Sequence, residues 1–274
     1  MSLHEFEVPH YDPYDYRHHD DPYPDYKRLR DHAPVFHNTK FDFYALSRYE
    51  DCFRAVRDFK TFSSANGSNL EDINVEVATI LDSDPPVHTR LRHIIVDLFT
   101  PDSIASLEGS VRQLAIELLA PHARTGSINV ITDFAARLPM AIICRLLGFP
   151  REDEDMLRGW TDMAVHRNEG EFGVPAESRE AMGKLIDYFE KDIAQRAKLP
   201  PRQDVIARLL SAESANTLSH GELMGFMPME SLHPLVVHFP IALLLTAVLL
   251  DLAALVLRRP GLYRIALWNL SLGT

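Results

Sequence analysis

Residues 84–92, Asp-Pro-Pro-Val-His-Thr-Arg-Leu-Arg, restrict the fold more than any other stretch of this chain. Proline is accepted in the first turn of a helix but not in its interior, so Pro85 and Pro86 mark an extended turn that becomes a helix at once. His88 and Arg92 follow at i and i+4, and their side chains leave one helical face about 6 Å apart. An imidazole beside a guanidinium suits a carboxylate, because the guanidinium fork can bond both oxygens. Leu91, Ile94, Ile95, Leu98 and Phe99 form an apolar stripe on another face, which anchors the helix to a core. Spacing alone also allows a solvated basic patch opening a surface helix.

The bulk properties narrow the partners. A net charge of −11 argues against nucleic acid or an anionic membrane surface. The two cysteines, Cys52 and Cys144, give no disulfide framework and fit a reducing compartment. The amino terminus, Met-Ser-Leu-His-Glu-Phe-Glu, has neither a cationic start nor an apolar run, so a cytoplasmic location is expected for residues 1–226. Charge is unevenly placed. Of 39 acidic and 28 basic residues, only Glu230, Asp251, Arg258, Arg259 and Arg264 lie beyond Phe226. This shift sets an expected domain boundary, 1–226 against 227–274.

Several motifs then agree in order and register. Asp84-Pro85-Pro86-x-His88-x-x-x-Arg92 followed by Phe99-Thr100-Pro101 resembles the C-helix signature of bacterial cytochromes P450, the haem-thiolate monooxygenases. Asp21-Pro22-Tyr23-Pro24, Ala33-Pro34-Val35, Ala45 to Asp51 and Thr61-Phe62-Ser63-Ser64 look like that family's amino-terminal run. Leu146-Leu147-Gly148-Phe149-Pro150 looks like the end of its E helix, and Leu218 to Phe226 like the opening of its I helix. The resemblance covers roughly residues 10–226. It implies a mainly α, truncated P450-like fold with a small β hairpin. His88 and Arg92 would hydrogen-bond haem propionates, haem being the cofactor. An intact relative would hydroxylate a small organic substrate with oxygen and electrons from a ferredoxin or a flavoprotein reductase.

The family's ligand loop is absent. Neither Cys52, in Tyr49-Glu50-Asp51-Cys52-Phe53-Arg54, nor Cys144, in Ile142-Ile143-Cys144-Arg145-Leu146, has glycine-rich flanks, and both read as small core residues. No Glu-x-x-Arg occurs, nor the acid-Thr pair of the I helix. The expectation is therefore a chain without catalytic residues and inactive as written. The alternatives are a haem-free binding module tethered to a membrane, or a chimeric fragment without function.

Local patterns predict a helix from Pro24 to His32, a hairpin with strands at 35–37 and 41–46, and a helix capped by Ser47 and Glu50 running to about Phe59. Further helices are expected at Asp102–His122, Ile131–Leu147 (apolar on nearly every face), Glu152–Val165, Ala176–Ala197 and Asp204–Leu210. By the resemblance, Glu152–Val165 and Ala176–Ala197 are the lid over the substrate, and residues 65–83 cover its pocket. Without the family's I and L helices, residues 1–226 alone are expected to be poorly stable. His18-His19-Asp20-Asp21 reads as a solvated arm rather than a metal site. Asp153-Glu154-Asp155 reads as helix-start charge. Ser63-Ser64 and His93 have no acid or oxyanion hole placed beside them by the sequence. No phosphate loop or zinc spacing occurs.

Leu235–Leu257 is a 23-residue run broken only by His238, Pro240, Thr246 and Asp251. As a helix it would span about 34 Å, enough for a bilayer core. A buried core helix is the other reading. Residues 230–274, from His233-Pro234 to Trp268-Asn269-Leu270, resemble the start of an uncharacterised bacterial family of multi-helix membrane proteins. His233, His238 and Asp251 are ionisable groups that would need partners in a span. The arginines that follow favour a cytoplasmic carboxyl side. Since no cysteine lies in the required loop, the haem-reconstituted, reduced chain should give no thiolate-type Soret band in a carbon monoxide difference spectrum; such a band would contradict this expectation.

Overall fold

Prolines punctuate the first elements. In the computed structural model, which describes residues 10–226 apart from 18–20, 68, 72–78, 124, 201 and 203, helix α1 (Tyr23–His32) carries Pro24 in its first turn and stops before Pro34. Strands β1 (Val35–Asn38) and β2 (Phe43–Leu46) pair antiparallel, Val35 opposite Leu46 and Asn38 opposite Phe43. The turn is built on Asn38, whose buried Oδ1 accepts the amides of Lys40 (2.9 Å) and Phe41 (3.0 Å). Asp42 takes a positive φ of 50°, so β2 begins two residues later than the apolar pattern predicts.

Helix α2 (Tyr49–Ala55) is shorter than expected and has no buried residue. Its N-cap is Arg48, without a side-chain cap, and the expected Ser47 capping box does not form. Ser47 instead gives its amide (3.1 Å) and hydroxyl (3.3 Å) to the carbonyl of Pro34, closing the hairpin. Cys52 is half-buried and donates its thiol to the Leu46 carbonyl at 3.3 Å, so the core placement predicted for both cysteines holds fully only for Cys144.

The remaining helices are α3 (Val87–Ile95), α4 (Pro101–Ser106), α5 (Glu108–Leu119), α6 (Arg137–Leu147), α7 (Glu154–Ala164), α8 (Ala176–Arg196), α9 (Val205–Ser214) and α10 (His220–Gly225). Thr100 caps α4 and Pro101 fills its first position, the use a Thr-Pro pair invites. The single helix expected over Asp102–His122 breaks at Leu107. The Ser106 hydroxyl takes the Ser103 carbonyl, and the Leu107 amide bonds Ile104 at 3.0 Å, so the i to i+4 ladder lapses there. The helix expected from Ile131 opens as a π turn, Val130–Ala135, capped by Asn129, and becomes α-helical only at Arg137. Ile131 is 69% exposed. Six of the eleven residues of α6 are buried against α5, α7 and α9, so its neighbours come from within the described residues.

One cluster joins three of these helices. Helix α6 ends at Gly148, in the left-handed region at φ +74°, where a Cβ would stand 2.2 Å from Asp204 Oδ2 and 2.9 Å from Arg196 Nη1. Arg196, at the end of α8, donates to the carbonyls of Leu147 (2.9 Å) and Gly148 (2.6 Å) and to Asp204 Oδ2 (2.9 Å). Asp204 in turn caps α9 by accepting the Ala207 amide at 2.8 Å. Arg196 Nε lies 2.6 Å from Asp192 Oδ2 but off the line of a hydrogen bond, so that contact is Coulombic. Removing one member of a buried ion pair strands the other charge. Arg196→Ala should therefore cost about 3–5 kcal/mol and lower the urea unfolding midpoint; an unchanged midpoint would contradict the arrangement.

Candidate functional site

The signature helix α3 lies where two of the sequence motifs meet. Pro86 is its N-cap, and the amides of His88 and Arg90 bond the carbonyls of Asp84 and Pro86 at 3.0 Å each. The Asp84 carboxylate accepts the Ser63 hydroxyl at 2.5 Å and the Ser64 amide at 3.0 Å. The Ser63 hydroxyl bond, then the Ser64 amide, hold the Asp84 carboxyl below the usual carboxylate range. The nearby His88 adds to this, while desolvation opposes it. An acid thus stands beside Ser63 after all. It anchors the 61–66 turn to the entrance of α3, and the Ala65 amide also bonds Ser63 Oγ, at 3.1 Å.

Leu91 and Ile95 are fully enclosed and fix the rotation of α3. His88, half-buried, and Arg92, exposed, flank that stripe on one side, as their i, i+4 spacing requires. Neither makes a hydrogen bond or ion pair with another described residue. Arg90, on the other side of the stripe, is fully engaged. Its guanidinium pairs with Glu222 of α10 and donates to the Thr217 carbonyl at 2.9 Å. Arg208 of α9 likewise pairs with Asp97 at 2.9 Å. Glu222 also accepts the Ser219 amide at 2.9 Å, completing a capping box on α10. That box is written in the sequence as Ser219-x-x-Glu222.

The donor set around α3 fits a ligand carrying carboxylates. The same described residues do not fit an iron ligand. Cys144 is wholly buried in α6, and burial, then the charges of Glu154 and Asp153, push its thiol up to about 12. A thiol so placed gives almost no thiolate at neutral pH. Cys52 lies on α2 beside the hairpin and is spent on the Leu46 carbonyl. Among the described residues no group of three or more His, Cys, Asp or Glu gathers to hold a metal. His18, His19 and Asp20 lie outside them. His93 is exposed, one position on from Arg92. A cleft of about 540 Å³ lies between the ends of α8 and α9, bordered by Arg196, Leu199, Arg202, Asp204 and Leu210, and shares no residue with this site.

No helix of the described residues is long and apolar enough to cross a membrane. The expected span at 235–257, with His233, His238 and Asp251, lies outside the described residues.

Comparison with known proteins adds three findings. The chain is 36% identical over 222 residues to a putative cytochrome P450 123 of Mycobacterium tuberculosis, a match covering 79% of this chain and 55% of that protein. Cytochrome P450 130 of the same organism is 33% identical over 215 residues, covering 72% of this chain and 53% of its own length. The chain thus spans about half the length of these relatives. Among solved structures, the cytochrome P450 PksS of Bacillus subtilis superposes with a TM-score of 0.68 at 30% identity, over 81% of this chain and 57% of that one. CalO2 superposes with a TM-score of 0.69 at 25% identity, over 93% and 66%. Residues 229–274 match a different family, described as a predicted membrane protein (DUF2231).

Proposed function

We propose, for a chain that belongs to the cytochrome P450 family over most of its length, that His88 and Arg92 hold the carboxylates of a haem. The carrying observation is that neither makes a hydrogen bond or ion pair with another described residue, His88 meeting Asp84 only through its charge, while the neighbouring Arg90 and Arg208 are both paired. In an acidic chain, an unpaired guanidinium beside an imidazole is a place for an anion supplied from outside. When bound in the family's way, haem supplies oxygen activation and electron acceptance. This chain's part is to orient it, with Leu91 and Ile95 locking α3 and the Ser63–Asp84 tie fixing the start of the helix.

The whole activity, oxygen-dependent hydroxylation of a small organic substrate with electrons from a ferredoxin or flavoprotein reductase, needs an iron ligand that Cys52 and Cys144 do not offer. The function proposed for these 274 residues is therefore haem binding without that turnover. Haem titration tests it. His88→Ala and Arg92→Ala should each weaken binding by about 1.5–3 kcal/mol, the worth of a hydrogen bond to a charged group. Haem dimethyl ester, which lacks free carboxylates, should bind the parent chain as weakly as the variants bind haem. Equal affinity of parent and variants for haem would return the pair to a solvated patch.

A second reading concerns residues 227–274, and the family match over 229–274 favours it. We infer that Leu235–Leu257 is a membrane-spanning segment tethering the remainder. Its many leucines and valines outweigh Asp251, whose cost of about 2.5–3.5 kcal/mol at a bilayer centre falls toward the arginine-bearing end. A soluble reporter fused to residues 227–274 should stay with membranes through alkaline carbonate extraction. Its recovery in the soluble fraction would make the segment a buried helix instead.

A further inference from the structure

The hairpin and the helical body meet through the amino-terminal arm, residues 10–17. On the hairpin side, Asn38 Nδ2 donates to the Tyr11 carbonyl at 2.8 Å and Lys40 Nζ lies 3.2 Å from Asp12 Oδ2. On the other side the arm reaches the connection between α7 and α8. The Gly170 amide donates to the Tyr14 carbonyl at 2.7 Å, and the Tyr16 hydroxyl donates to the Arg167 carbonyl. The side chain of Arg167 turns to the stretch before α3, where its Nε donates to Glu71 Oε1 at 2.6 Å. The Glu71 carboxylate is 8% exposed and also faces the buried Tyr14 hydroxyl. Aromatic rings close the seam: Phe41 stacks on Phe172 at 5.0 Å, and Tyr14 meets both edge-on, at 5.2 and 5.6 Å.

Three segments distant in sequence are thus held at one point, and two of them, by resemblance, border the substrate. The contact is not a surface ion pair of negligible worth, because both partners are largely enclosed. Burial acts to raise the Glu71 carboxyl, yet the Arg167 bond and charge carry it below its ordinary value. Protonation would therefore release the contact only on acidification through that lowered value, and near neutral pH the tie is fully formed.

We propose that the arm is the catch of the lid: Tyr14 and Tyr16 pin the α7–α8 connection to Glu71 and to the hairpin, so the connection opens only when the arm lets go. This rests on the reading of α7 and α8 as the elements over the substrate. Movement of the lid is then linked to the arm rather than to the chemistry beneath it. A ligand entering must outweigh the Arg167–Glu71 ion pair, the Gly170–Tyr14 backbone bond, the Tyr16 hydroxyl bond and an aromatic seam.

Hydrogen exchange of the full-length chain, read without haem or substrate, tests the catch independently of haem binding. Glu71→Gln keeps the shape and removes the charge; Tyr16→Phe keeps the ring and removes one bond. Each should speed amide exchange about fivefold or more in residues 166–173 and in residues 10–17 together, with residues 185–193 of α8 unchanged. Unchanged exchange at 166–173 in both variants would overturn the proposal. So would acceleration of 185–193 to the same degree, because the loss would then be fold-wide. If 166–173 accelerates while 10–17 does not, the arm is no catch and the proposal also fails.

Discussion

The helical body depends on the buried guanidinium of Arg196. It satisfies the last carbonyls of α6, balances Asp204 at the start of α9 and stands over the ring of Phe149 at 5.6 Å. Helix ends leave unpaired carbonyls that must be met somewhere, and here one side chain meets those of α6 from the end of α8. The same crowding explains Gly148: both its positive φ and the oxygen of Asp204 where a Cβ would lie exclude a side chain. The Leu-Leu-Gly-Phe-Pro motif is thus a packing requirement set by a residue some fifty positions downstream. Phe149 completes it by stacking on Phe189 of α8 at 5.6 Å.

Much of this was legible in the sequence, and the misses have physical causes. The helices with apolar periodicity and proline or glycine boundaries, α1, α6, α7 and α8, end close to where those residues place them. The errors fall where a polar side chain had two uses. Ser47 has the right spacing to Glu50 for a cap, but the Pro34 carbonyl opposite claims it. Ser106 bonds back to the Ser103 carbonyl where the one predicted helix divides into α4 and α5. Asn129, a good cap, draws two amides and starts a π turn that periodicity cannot distinguish from an α turn. The membrane-type reading of residues 235–257 rests on composition and on the family match.

At the site, the i, i+4 spacing puts His88 and Arg92 on one helix face, but spacing does not tell that, among the described residues, Arg90 is paired and Arg92 is not. The difference lies in Glu222, more than a hundred residues away, and in the Thr217 carbonyl, neither of which has a local signal. The bond from Ser63 to Asp84 was equally hidden, although both residues sat in recognised motifs. Chemistry set by one helix can be read from spacing, whereas chemistry set by which neighbour neutralises which charge needs the fold.

The change of charge and apolar content beyond Phe226 falls at a packed position. Phe226 is wholly enclosed, next to Leu223 in a short helix clamped to α3 through Arg90 and Glu222. Boundaries between independent units usually fall in exposed, pliable linkers, where exchanging one neighbour for another disturbs little. Here the change of sequence character follows directly on a residue sealed in the core.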